Sequence, residues 1–394
     1  MAIHKIRLIA TDSLASDGAA TCYPVQASNG SYYVIYTQGN ASPTDPTSLN
    51  FIKSSDRLSW STPAVVSAIL GRGVFTWYDR WSGIAADLIH TGYLNGSNAD
   101  IQYRNINTAS ADAISGAVTV FAGASVAAGR SLSIVRGRGT NIVVAGTIDA
   151  GAEDGAWESA DGGATWGSAI ADPSEAATDQ YLLLPGWNAD TEDQMLLFWD
   201  FSANELSVKR YDNSANTWAE ASISASMVEV AASTVYPNFA ATVDLINSKN
   251  YVIAWTGYDT ALADLKCWSI TDTTITALTN VVTDGTDDQG LCALGLATDT
   301  GYLHAFYCGK SDGSETANTA WNIYTSVSTD LGVTWGAETL YTTAAARITM
   351  LHCVPQFTGL PFVVWMEVAA STENYLYTLV DITSARPEFR GPNL

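Results

Sequence analysis

The sequence predicts an all-β protein folded as a single β-propeller, with seven four-stranded blades in a ring closed by the N-terminal strand. Three observations predict it. Short apolar runs recur at a period of about 55 residues, hairpin-type turn signals precede many of them, and one spare strand stands at the N-terminus.

The runs are Tyr32 to Tyr36, Ile84 to Ile89, Asn141 to Ala145, Gln194 to Trp199, Tyr251 to Trp255, Tyr302 to Tyr307 and Pro361 to Trp365. Their first residues are spaced by 52, 57, 53, 57, 51 and 59 positions, so seven units nearly fill the 394 residues. Asn29-Gly30, Gly139-Thr140, Asn247-Ser248-Lys249-Asn250 and Thr300-Gly301 precede four of them. Asn and Gly supply the positive φ angles of tight hairpin turns. A further strand follows in most units: Leu49 to Lys53, Asp100 to Asn105, Leu206 to Arg210, Leu265 to Ile270, Trp321 to Ser326 and Tyr375 to Val380. Alanine is frequent but mixed with Ser, Thr and Gly between strand runs, which reads as tight sheet packing and loops. The last unit has three strands of its own: Met350 to Val354, Pro361 to Val368 and Tyr375 to Val380. Lys5 to Ala10 supplies the missing fourth and removes the open edge. Residues 1–382 are therefore read as the propeller, and 383–394 as a C-terminal docking tail.

Composition narrows the function. Only 15% of residues are charged, and 40 acids against 18 bases leave a formal charge of −22. Such a field repels phosphate backbones and anionic lipid, so neither a nucleic-acid partner nor membrane insertion is expected. No apolar run approaches the ~18 residues of a membrane span. Met1 to Arg7 has no signal-peptide pattern, which places the protein in the cytoplasm before assembly or in a virion. The five cysteines are scattered through apolar stretches and are expected to be buried, reduced thiols. Neither they nor the four histidines show ligand spacing, so no metal and no cofactor are expected.

Two segments share a pattern: Ser159-Ala160-Asp161-Gly162-Gly163-Ala164-Thr165-Trp166 and Ser328-Thr329-Asp330-Leu331-Gly332-Val333-Thr334-Trp335. Weaker copies run from Ser54 through Asp56 to Trp60, and from Asp212 to Trp218. The second and fifth units keep little of it, the seventh none. The pattern S-x-D-x-G-x-T-W resembles the Asp-box, or BNR repeat, of propellers that include the sialidases. A turn suits it physically. The Asp accepts backbone N–H bonds, the Gly takes a left-handed conformation, and the Trp buries its ring. The resemblance implies a structural post on the outer rim for Asp56, Asp161, Trp166, Asp212, Asp330 and Trp335.

Propeller ligands usually meet residues where the innermost strands begin. Candidates there are Trp77, Tyr78, Asp79, Arg80 and Trp81 in the second unit, Arg130 in the third, Tyr236 in the fifth and Arg347 in the seventh. Asp179, Asp287 and Asp288 are further carboxylates in such positions. Aromatic faces beside Asp and Arg suit sugar rings, although Trp77 to Trp81 also reads as an inner strand packed between blades. Sialidases use three arginines on the substrate carboxylate, a Tyr–Glu nucleophile pair and an Asp acid/base. Arg80, Arg130 and Arg347 resemble that arginine cluster, whose forks donate paired hydrogen bonds. Here no Glu pairs with Tyr236, and the resembling enzymes have six blades. The catalytic set is incomplete. The expected function is a non-enzymatic interaction module, with glycan binding among its roles, in an assembled particle such as a phage virion. Its tail, with two Arg, two Pro and Phe389, would dock other proteins. A sialidase-like glycoside hydrolase acting on an acidic sugar is the alternative.

Overall fold

The computed structural model describes residues 2–10, 22–39, 46–68, 74–78, 87–95, 100–123, 132–147, 154–167, 169–173, 180–200, 203–224, 227, 239–256, 264–272, 274–283, 291–308, 322–343, 347–369 and 373–380. Among them there is no helix. Seven sheets follow one another along the chain, each an antiparallel meander whose first strand faces the axis, with Gln356–Phe357 added in parallel to the sixth. The first blade comprises Cys22–Gln26, Tyr32–Gly39, Pro46–Ser54 and Ala64–Ser67. The seventh takes Arg347–Cys353, Val363–Ala369 and Glu373–Val380 from its own unit. Ala2–Ala10 then pairs antiparallel with Glu373–Val380, from Ala2 opposite Val380 to Ala10 opposite Asn374. The N-terminal strand thus closes the ring, as expected.

The apolar runs that mark the repeat are the second strands. Gln194–Asp200 and Lys249–Thr256 are buried almost from end to end, because neighbouring blades cover both faces. Double burial suppresses the usual in–out alternation and leaves a continuous apolar stretch. Trp199, Trp255 and Trp365, the largest fully buried side chains, all lie in such strands. The outermost strands have the opposite character. Thr217–Ser224 is half-buried or exposed throughout, and its core-packed Trp218, Ala221 and Ile223 are interrupted by polar residues.

One expectation needs correction. The second unit's middle strand is Leu88–Leu94, so Ile84 sets its start four residues early, and its inner strand is the short Val74–Trp77. Among the described residues the third blade shows Leu132–Arg136, Ile142–Thr147 and Asp154–Ser159, with an antiparallel bridge from Trp157 to Ala169 at the place of the fourth strand. All five cysteines are free and buried.

Candidate functional site

The inner strands enclose an axial cavity of about 190 Å³, to which every blade contributes. Its wall is mostly apolar: Val25, Val74, Leu132, Leu184, Ala241 and Leu294 alternate with the rings of Tyr23, Phe75, Trp77, Tyr181 and Phe239. Tyr23 packs against Phe75 and His352, with ring centroids 5.1 and 4.9 Å away. Its hydroxyl donates to the Val74 carbonyl at 2.9 Å. Tyr181 donates to the Asp154 carboxylate at 2.8 Å. Burial pushes His352 down to about 4, so the imidazole is neutral at physiological pH. Burial likewise pushes the Cys292 and Cys353 thiols up. Among the described lining residues there is no Arg, Lys, Asp or Glu.

A strap lies at the end where the inner strands finish. Between its first two strands the seventh blade runs through Val354 to Phe362, whereas the sixth turns within Thr298 to Gly301. The Pro355 carbonyl, at the cavity wall, accepts from the Leu296 N–H at 2.9 Å and from the Thr242 hydroxyl. Gln356 donates to the Val243 carbonyl at 2.8 Å, and the Thr358 N–H to Gln26 at 3.0 Å. The strap therefore ties the fifth, sixth, seventh and first blades across the axis. Phe357 is fully buried behind it.

The sequence candidates divide between the two ends. Arg347 opens the inner strand of the seventh blade, opposite Val368. Trp77, by contrast, ends the second blade's inner strand, and Tyr78 follows it. The expected position at the start of an inner strand is thus corrected for both: they lie at the strapped end. Trp77 is buried in the main core, and its indole N–H is buried without a partner. The Tyr78 hydroxyl accepts the Ser28 N–H at 2.7 Å. Asp79, Arg80, Trp81, Arg130, Asp179, Tyr236, Asp287, Asp288 and the tail 383–394 lie outside the described residues. Among the described residues no group of three His, Cys, Asp or Glu is placed to hold a metal ion, and no helix is long and apolar enough to cross a membrane.

The four S/D-containing turns join the third strand of a blade to the segment that follows it. Asp161 accepts from the Thr165 N–H at 2.8 Å and hydroxyl at 2.6 Å, and from the Ser159 hydroxyl at 2.8 Å. These bonds, those of Thr165 foremost, hold its carboxyl down at about 2. Asp330 repeats the arrangement with Thr334 and Ser328 at the same distances, and its carboxyl is also lowered. Asp56 accepts from the Leu58 and Ser59 N–H groups at 2.8 Å, and Asp212 from the Ala215 N–H at 2.9 Å. Each turn also grips the preceding blade. Trp335 donates to the Thr279 carbonyl at 3.0 Å, Trp218 to Ala171 at 2.7 Å, and Arg57 to Pro361 at 3.0 Å. The ring of Trp166 meets that of Tyr103 edge-on, 5.4 Å away.

Sequence reasoning missed Tyr23, His352 and the strap, whereas Tyr181, in the candidate stretch Asp179-Gln180-Tyr181 of the fourth unit, does line the cavity. Only the wider interval between Val354 and Pro361 hinted at the strap, because pairing partners in other blades leave no local pattern.

No family model matches the chain, and no curated protein matches it. Among solved structures, it is similar to the NanB sialidase of Streptococcus pneumoniae, with a TM-score of 0.50 and 11% identity over 96% of this chain and 71% of that one. It is also similar to a protein of unknown function from Dyadobacter fermentans DSM 18053, at a TM-score of 0.47 and 12% identity over 96% and 99% of the two chains. The Aleuria aurantia lectin in complex with Fucalpha1-6GlcNAc aligns at a TM-score of 0.46 and 10% identity, over 78% of this chain and 92% of the lectin. At such identities the likeness establishes the propeller fold and leaves the chemistry to the site.

Proposed function

We propose that the protein is a non-enzymatic glycan-binding propeller whose sugar site lies on the face where the inner strands begin. The observation that carries this reading is the asymmetry of the axis: the strap spans the end where the inner strands finish, and Arg347 stands where the seventh inner strand starts. Positions 130 and 236 immediately precede the inner strands of the third and fifth blades, Leu132–Arg136 and Phe239–Asp244. The fold shared with a sialidase supports a sugar as the ligand class. The turns at Asp161 and Asp330, read as Asp-boxes, supply the scaffold and take no part in binding.

We further propose that the module belongs to an assembled particle, such as a phage virion, with residues 383–394 docking partner proteins. The tail's two arginines, two prolines and Phe389 support this in a chain with only 18 basic residues. The test is a glycan array probed with the full chain, alongside turnover of a fluorogenic sialoside. We expect saturable binding that weakens at least about tenfold in Arg347→Ala, a loss of ~1.4 kcal/mol, and no turnover. Array binding unchanged by Arg347→Ala, or no binding to any glycan, removes the sugar site. Sialoside cleavage abolished by Arg347→Ala establishes the hydrolase instead.

A further inference from the structure

We propose that the axial well is a binding site for an uncharged, planar aromatic group of one or two rings. The inference rests on the cavity itself and is independent of the glycan reading. Size comes first. The well holds about 190 Å³, and an apolar protein cavity of about 150 Å³ stays dry and takes up benzene. A second fused ring is the upper limit.

The chemistry of the wall sets the class. His352 is neutral because burial holds it down at about 4, and Cys292 and Cys353 stay protonated thiols. A charged guest would lose its hydration with no counter-charge among the described lining residues. A sugar is disfavoured for a related reason. Two of the wall's hydroxyl protons are already given to protein, that of Tyr23 to the Val74 carbonyl and that of Tyr181 to Asp154. Sugar hydroxyls placed against the apolar residues would go unsatisfied at a cost of about 1–3 kcal/mol each. What the wall does offer is ring faces and edges from Tyr23, Phe75, Trp77, Tyr181 and Phe239, with the polarizable sulfur of Met350. Offset and edge-on ring contacts favour an aromatic guest over an aliphatic one. Pro355 of the strap adds to the wall at the end where the inner strands finish.

The experiment titrates the full-length protein with 2-naphthol, using 2-naphthoate as the charged isostere. Thiol modification by methyl methanethiolsulfonate, mapped by mass spectrometry, locates the bound ring. Cys292 and Cys353 line the well, whereas Cys267 does not. We expect saturable 2-naphthol binding, at least about tenfold weaker binding of the naphthoate, and slowed modification of Cys292 and Cys353 but not of Cys267. Ala241→Phe, which fills the well, should lower affinity at least about tenfold while the circular dichroism spectrum is retained. Should that variant not fold, protection of the two thiols in the wild-type protein decides alone. Absent binding, equal binding of the naphthoate, unprotected thiols, or undiminished affinity in a folded Ala241→Phe would each overturn the proposal. A blank glycan array does not bear on any of these outcomes.

Discussion

The turns of the third and sixth blades and those of the second and fifth solve one problem with different chemistry. Each must fasten its blade to the one before it. In the third and sixth, a Ser–Asp–Thr network shapes the turn and a Trp reaches the neighbour. The second and fifth blades have lost that pattern and use a charge instead. Asp112, left-handed at φ 59°, takes the Tyr33 hydroxyl at 2.6 Å and the Lys53 ammonium at 2.9 Å from the first blade. Asp272, at φ 43°, takes Arg210 of the fourth blade at 2.8 Å. The position and the partner blade are kept while the bond type changes. What the turns of the first six blades share is a clasp to the blade before, and the motif is one way of making it.

The largest expected effect comes from making the clasp sterically impossible. Gly163 sits at φ 92°, and a Cβ there would run into the ring of Tyr103 in the second blade. Gly163→Ala combines backbone strain with overpacking and should cost about 3 kcal/mol. Its neighbour Gly162 is also left-handed, at φ 74°, but has open space around it. Gly162→Ala should therefore lose only about 1 kcal/mol. Urea denaturation of both variants separates strain from the seam contact. Equal losses would mean that the approach to Tyr103 contributes nothing.

The same contrast explains what could be read in advance. Doubly buried middle strands such as Gln194–Asp200 announce themselves as apolar runs, and from their spacing seven blades follow. Outer strands such as Thr217–Ser224, lying against solvent, carry no such pattern. The turns of Asp161 and Asp330 are legible because their bonds close within four residues. Asp112 and Asp272 are not, since their partners stand 59 and 62 residues away. The site suffered from one boundary. Ile84 drew the second blade's middle strand forward, which assigned Trp77 and Tyr78 to the wrong end of the axis. The cavity rings come from separate blades, so no local spacing connects Tyr23 with Tyr181 or His352.

The two charged clasps differ in turn. Asp112 is 19% exposed and holds the hydroxyl of the fully buried Tyr33. Burial, followed by the hydrogen bond to Asp112, pushes Tyr33 up to about 12. Asp112→Ala should cost about 2 kcal/mol, because it strands the Tyr33 hydroxyl as well as breaking the ion pair. Asp272 is 38% exposed and Arg210 25%. Asp272→Ala should cost about 0.5 kcal/mol, and added salt should shrink that difference further. Chemical denaturation at low and high salt checks the ranking. A greater loss from Asp272→Ala would show that exposure does not control the strength of these seams.

The smallest effect concerns the carboxylate of the motif itself. Asp161 is exposed, yet the Thr165 hydroxyl and N–H and the Ser159 hydroxyl hold it down at about 2, below the ordinary Asp value of 3.8. A depressed carboxyl stabilises the fold fully above its unfolded value, and that contribution disappears as pH falls from about 4 through about 2. Carbon NMR of the side-chain carboxyl should therefore find Asp161 still ionised at pH 3. Thr165→Val removes the hydroxyl donor and should return the titration toward the ordinary Asp range, with only a small change in stability. Asp161→Asn keeps an oxygen that can accept the Thr165 N–H, so it should be milder than Asp161→Ala. An ordinary titration in the wild-type protein would mean that the turn is held by its glycines and its Trp, with the Asp a bystander. The seam of the third blade would then be closer in kind to a packed contact than to the charged clasps of the second and fifth.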